Sequence, residues 1–217
     1  MNKYNTKLGQ LLSFVERPRF KKNVDDIEAD KYCKGFSAWQ QFVIMVYAQL
    51  AHPTGLRSLA DSLNASGSLY HLGIHKDVKR STISYANNNR TFEVFEKLFY
   101  SELSTLHVNV AYITKMYSPK WNIEIFFKTI KQNPRIKKFY GQMENAVKTQ
   151  IWIALIVYLL FLKLPELCTY EGKNFTYFML GIKVCLFERT DLFSWFVGYP
   201  SVRESSFCIA MQPELDL

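Results

Sequence analysis

Ser37-Ala-Trp-Gln-Gln-Phe-Val-Ile-Met-Val-Tyr-Ala-Gln-Leu-Ala51 is the stretch that decides the fold class. Ser37 followed by Gln40 has the form of a capping box, in which each side chain satisfies a free backbone donor of the other. That signal opens a helix from about Ala38 to Ala51, with Trp39, Phe42, Val43, Val46, Tyr47 and Leu50 on its apolar side. His52-Pro53-Thr54-Gly55 breaks it. Working outward, Lys7 to Val15 offers a short apolar-periodic segment that stops near Pro18. Leu56, Leu59, Ala60 and Leu63 recur at helical spacing and end in Asn64-Ala-Ser-Gly67. Phe92, Phe95, Glu96, Phe99 and Leu103 continue as an amphipathic helix to about Leu106.

Beyond that point the pattern changes. His107 to Thr114 is the clear strand candidate, with β-branched residues in loose alternation. Ile151 to Leu162 is an unbroken apolar run, shorter than the ~18–20 residues that cross a bilayer, and reads as a helix buried in a protein core. Phe175 to Phe187 reads as an apolar helix or strand, and Ser194 to Leu217 as an irregular tail. Strand and helix do not alternate often enough for a parallel sheet. The expectation is a mainly α chain.

The 217 residues are 48% hydrophobic and 16% aromatic, enough to bury a core and unlike a disordered chain. A formal charge of +8 favours an anionic partner, either nucleic acid or an acidic membrane surface. Cys33, Cys168, Cys185 and Cys208 form no Cys-x-x-Cys pair, so free thiols in a reduced, cytoplasmic setting are expected. His71 and His75 are four apart, but a turn-like Leu72-Gly73-Ile74 separates them and no third ligand lies nearby.

Lys79-Arg80-Ser81-Thr82 precedes a polar helix through Ser84, Asn87, Asn88, Asn89 and Arg90. Two short helices joined by a tight turn, then a basic and Asn-rich helix, have helix-turn-helix-like character. Asn pairs bidentately with adenine, and Arg and Lys contact guanine or phosphate. Lys79, Arg80, Ser81, Asn87, Asn88 and Arg90 are therefore candidate DNA contacts. The same pattern also fits an ordinary helical bundle with a polar outer face.

Tyr117-Ser-Pro-Lys120-Trp-Asn-Ile-Glu124-Ile-Phe-Phe-Lys128-Thr-Ile-Lys131 places one carboxylate among cations. Seven residues make about two helical turns, so Tyr117, Glu124 and Lys131 fall near one face, with Lys120 and Lys128 a turn away. That arrangement suits a metal-binding acid beside a polyanion. It also fits a solvated helix with Glu124 and Lys128 as an i,i+4 pair.

These residues resemble the Y-x2-R-x3-E-x6-K signature of DDE transposases from bacterial insertion sequences. Tyr117, Glu124 and Lys131 match its spacing, and Lys120 stands where the family has Arg. Trp121-Asn-Ile-Glu-Ile-Phe-Phe-Lys-Thr-Ile-Lys-Gln-Asn133, Lys137-Lys-Phe139 and Glu144-Asn-Ala-Val-Lys-Thr-Gln-Ile-Trp-Ile-Ala154 look like the words around it. Phe36-Ser-Ala-Trp39, Leu56-Arg-Ser-Leu59, Leu69-Tyr-His-Leu-Gly-Ile74 and Arg80-Ser-Thr82 resemble the amino-terminal module of the same subgroup. The resemblance reaches to about Phe196. It implies a ribonuclease-H-like catalytic domain in which Asp, Asp and Glu hold two Mg²⁺ ions, with Glu124 as the third acid and metal ligand. Tyr117, Lys120, Lys128, Lys131, Lys137 and Lys138 would then meet phosphates.

The first two acids have no counterpart, since no Asp occurs between Asp77 and Asp191. One carboxylate cannot assemble a two-metal site, because both ions are needed to clamp the attacking and leaving oxygens. The chain thus resembles an internally deleted transposase joined near Leu106–Thr114. Three regions are expected: a helical DNA-binding module over 1–106, a helical remnant of the catalytic domain over 107–196 that lacks most of its sheet, and a tail over 197–217. The expected protein binds DNA at transposon ends, alone or with intact transposase, without stably bound Mg²⁺ and without catalysis. Two other readings stand beside it: residual catalysis in a site shared with a partner chain, and a small membrane-associated helical protein built on Ile151–Leu164.

Overall fold

A computed structural model describes residues 6–66, 69–74, 77–105, 140–167, 181–182 and 185–192. Its elements in chain order are α1 (Lys7–Leu12), α2 (Arg17–Asp26), α3 (Ala38–Ala51), α4 (Leu56–Ser66), a 3-10 turn (Tyr70–Leu72), α5 (Arg80–Asn89), α6 (Glu93–Thr105) and α7 (Glu144–Leu167). Among the described residues there is no strand, and the fold is mainly helical. The candidate strand at 107–114 lies outside the described residues, as does the tail from Ser194. Within the Phe175–Phe187 segment the described Gly181, Ile182 and Cys185 are helical.

α3 is the centre. Its capping box forms as the sequence implies: the Ser37 hydroxyl accepts from the Gln40 amide, and the Gln40 side chain accepts from the Ser37 amide at 2.9 Å. His52 ends the helix in a left-handed conformation with φ of 51°. Between these caps Gln41 through Leu50 are all buried, so the helix is enclosed on every side. Phe42 anchors an aromatic cluster with Phe20 of α2, Trp39 and Phe95 of α6, at centroid separations of 5.4–6.3 Å. Burying each such ring is worth about 1.5–3 kcal/mol relative to exposure.

Pro18 does not stop the chain, as its sequence position suggests, but sits in the first turn of α2. Proline lacks only an amide hydrogen that this turn leaves unbonded anyway, and its fixed φ suits a helix start. α1 is correspondingly short and ends at Leu12.

α7 packs on α6, α3 and α5. Ile153, Ile156, Val157, Leu160 and Phe161 join Phe42, Ile83, Phe95 and Leu98 in one hydrophobic core. The region expected as a separate remnant thus shares the core of the amino-terminal helices; the expected boundary at 106/107 lies outside the described residues. By length and composition α7 could cross a membrane, but 56% of its Glu144–Phe161 window is buried inside the protein. Packing against three helices accounts for its apolarity.

α6 and α7 run parallel, since Phe92 meets Asn145, Phe99 meets Trp152, and Glu102 and Thr105 meet Lys163. Residues 186–192 dock on α1. The first two amides of α1, on Lys7 and Leu8, donate to the carbonyls of Glu188 and Leu186 at 3.0 Å each, and Thr6 caps Gly9. Such end groups have no partner inside their own helix. The Lys7 ammonium also reaches Glu188 at 2.8 Å. Burial works against its charge, yet the contacts with Glu188 and Cys185 hold its pKa above the ordinary lysine value.

Candidate nucleic-acid interface

α5 carries Arg80-Ser-Thr-Ile-Ser-Tyr-Ala-Asn-Asn-Asn89 and divides cleanly into two faces. Ile83, Ala86 and Asn87 are buried. Arg80, Ser81, Ser84, Tyr85, Asn88 and Asn89 line an open depression of about 450 Å³ on the other side. Their spacing, in steps of four, keeps them on one side of the helix. Tyr85 is 71% exposed.

The helix is held from three directions. Asn64 of α4 makes a two-way bond with Val78, donating to its carbonyl at 3.1 Å and accepting from its amide at 2.9 Å. This fixes the chain just ahead of α5. Beneath, Gln41 of α3 donates to the Asn87 side-chain oxygen at 2.8 Å. From α7, the Asn145 amide donates to the carbonyls of Asn87 and Arg90 at 2.8 and 2.6 Å, and its oxygen accepts from the Phe92 amide at 3.1 Å. One side chain thereby serves the end of α5 and the start of α6.

Two of the expected DNA contacts are corrected by this arrangement. Asn87 is 2% exposed and Arg90 is 6% exposed. The Arg90 guanidinium donates to the carbonyls of Ala29 and Phe36, to the Gln41 side-chain oxygen at 2.7 Å and to the Cys33 sulfur, and pairs with Asp30 at 3.0 Å. These two residues point inward because a helix with polar residues on both sides must bury one set, and α3 supplies the partners. Of the Asn triplet, Asn87 is core and Asn89 donates back to the Tyr85 carbonyl at 2.9 Å. Asn88 has no side-chain hydrogen bond among the described residues.

Arg80, Ser81, Ser84 and Asn88 make no side-chain hydrogen bond or ion pair among the described residues, and Lys79 and Arg80 are exposed. The helix-turn-helix expectation fares less well. α3 and α4 are joined by the short turn at 52–55, but α5 follows α4 only after residues 67–79. A recognition helix in that motif follows a three- to four-residue turn. Tyr117, Lys120, Glu124, Lys128, Lys131, Lys137 and Lys138 lie outside the described residues, as do His75, Cys168 and Cys208. Among the described residues no group of three or more His, Cys, Asp and Glu side chains is placed to hold a metal.

Residues 3–75 match the family described as Domain of unknown function (DUF4372), a span that covers α1 to α4 and stops short of α5. A Sinorhizobium fredii protein named as transposase y4zB is 36% identical over 80 residues, covering 37% of this chain and 22% of that protein. A Geobacillus stearothermophilus protein named as a transposase for insertion sequence element IS5377 is 34% identical over 73 residues, 34% of this chain and 18% of its own length. A Synechocystis protein named as a transposase for insertion sequence element IS4SA is 26% identical over 127 residues, 58% of this chain and 37% of its own. These similarities support a transposase-derived chain. No solved structure matches it. The chain spans well under half the length of each of these relatives.

The sequence missed Gln41, Asn64 and Asn145 as the side chains that hold α5 and its flanks. Gln41 did leave a signal: an amide inside an otherwise apolar helix needs a buried polar partner.

Proposed function

We propose that this transposase-derived chain binds duplex DNA through the exposed face of α5 and lacks strand-cutting activity of its own. The observation that carries the reading is the set of polar side chains on one open helix face, Arg80, Ser81, Ser84 and Asn88, that have no bond among the described residues, with Lys79 at its head. A protein side chain loses water only where something replaces its hydrogen bonds, and base edges and phosphates do so. The charge of +8 supplies the sequence-independent attraction. Helix α5 is ten residues long, enough for about three turns in a major groove.

The test is a titration of duplex DNA by fluorescence anisotropy across a range of salt. Affinity is expected to fall linearly with the logarithm of salt, and Lys79→Ala and Arg80→Ala are each expected to lower that slope by about 1. Salt-independent binding, or unchanged slopes in both variants, would count against the interface.

The finer reading keeps Glu124 as the third acid of a DDE site whose first two acids this chain lacks, with Tyr117, Lys120, Lys128, Lys131, Lys137 and Lys138 beside the phosphates. On it, the chain is an internally deleted member of the subgroup with the Y-x2-R-x3-E-x6-K signature, works in the cytoplasm, and competes with or joins intact transposase at element ends. Mg²⁺ would have one protein carboxylate where two-metal chemistry needs several. Supercoiled plasmid carrying element ends is therefore expected to stay uncut when incubated with the protein and Mg²⁺. Nicking abolished by Glu124→Ala would overturn this and favour a catalytic site shared between chains.

A further inference from the structure

We infer that Asn145 is a positioning residue for DNA selectivity: it holds α5 at the angle that presents Asn88, so that sequence preference in the amino-terminal helices depends on the carboxy-terminal segment. The inference rests on the reading of α5 as a DNA-contacting helix. Its physical basis is independent of that reading.

The Asn145 side chain has two donor hydrogens and one acceptor oxygen, and all are engaged on a single junction. Both hydrogens go to carbonyls at the end of α5, Asn87 at 2.8 Å and Arg90 at 2.6 Å, and the oxygen takes the Phe92 amide at 3.1 Å. The orientation of the amide is thereby fixed, because the reversed group would set donor against donor and acceptor against acceptor. The last carbonyls of a helix have no partner within it. Here that role is filled from a residue 58 positions along the chain from Asn87. Asn88 lies between the two clamped carbonyls. A rotation of α5 about its axis by one residue turns its side chain through roughly 100°, enough to carry Asn88 off the open face.

The opposite side of α5 is held by a different set of bonds, Gln41 to Asn87 and Arg90 to Gln41, within the core. Those bonds keep α5 attached when Asn145 is lost. Removing Asn145 therefore frees the roll of the helix end without detaching the helix, and what suffers is the direction of Asn88 rather than the charge of Lys79 and Arg80. Selectivity and non-specific affinity separate on this account.

The experiment uses the full chain and a pool of duplexes with randomised central base pairs. The best selected duplex is then compared with a shuffled duplex of the same composition, at fixed salt. Asn145→Ala is expected to reduce the ratio of the two affinities about tenfold, the order of one good base contact, with the salt slope and cooperative thermal unfolding retained. Asn145→Asp, which keeps the acceptor for Phe92 and sets a carboxylate against two carbonyls, is expected to do the same. Asn88→Ala alone should lose the preference, and Asn88→Ala combined with Asn145→Ala should lose less than twofold more. Without DNA, the Phe92 amide should exchange its hydrogen faster in Asn145→Ala. An unchanged affinity ratio in Asn145→Ala overturns the positioning role and leaves DNA binding intact. Wild-type protein that binds no duplex in a salt-dependent way overturns the DNA reading and this inference with it. Wild-type binding without preference, or failure of both Asn145 variants to fold, overturns the inference alone.

Discussion

Replacing Arg90 by alanine is expected to lower the unfolding free energy by about 2–4 kcal/mol, because several charge-assisted hydrogen bonds to buried acceptors are lost at once, while Asp30, itself a third exposed, is re-solvated. The guanidinium binds the backbone of the segment between α2 and α3 at two carbonyls, on Ala29 and Phe36, and pairs with Asp30. That segment contains two non-glycine residues in the left-handed region, Glu28 at φ 53° and Tyr32 at φ 63°. Each such residue costs of order 1 kcal/mol, which the surrounding contacts must offset. Arg90→Ala also strands the Gln41 oxygen inside the core. Urea unfolding followed by far-ultraviolet circular dichroism should show the drop as a lower midpoint. Arg90→Lys is expected to recover only part of it, because one ammonium cannot span the fan of acceptors that the planar guanidinium reaches. Full stability in Arg90→Lys would show that charge alone suffices.

Lys163→Ala is expected to cost a similar amount, about 3–5 kcal/mol. Glu102 of α6 is 1% exposed and Lys163 of α7 is its cation, with Thr105 as a second partner for the ammonium at 3.2 Å. The other carboxylate oxygen of Glu102 is buried without a hydrogen bond among the described residues. Removal of Lys163 would leave an uncompensated charge between two helices. Replacing both residues by apolar ones, Glu102→Leu with Lys163→Met, is expected to restore most of the loss, since a buried pair repays its desolvation poorly. Unfolding of the single and double variants measures this coupling, and a double variant as unstable as the single would refute it.

How far the sequence led depended on how local each cause was. The capping box of Ser37 and Gln40 involves residues three apart, and it appears as written. The apolar run from Ile151 was read as a buried helix and is one, because a core helix shows its burial in its own composition. Pro18 opens a helix rather than ending one, because the same ring serves both ends and only the following residues decide which. The directions of Asn87 and Arg90 were beyond reach. α5 is polar on both sides, and which side turns inward depends on Gln41, 46 positions away from Asn87, and on Asn145 from α7. Of the six candidate contacts, Lys79, Arg80, Ser81 and Asn88 lie away from the core and Asn87 and Arg90 lie within it, a division set by partners distant in the chain.

The docking of residues 186–192 on α1 carries a consequence for synthesis. Lys7 and Glu188 are 181 positions apart, so the first helix cannot complete its hydrogen bonds until almost the whole described chain has left the ribosome. At about 5–20 residues per second that delay is roughly 10–40 s. For most of that time α3, buried through its whole middle in the folded protein, has no α7 to cover it. The bonds that tie the two ends of the described chain together are therefore expected to form late, after the helices between them have been made.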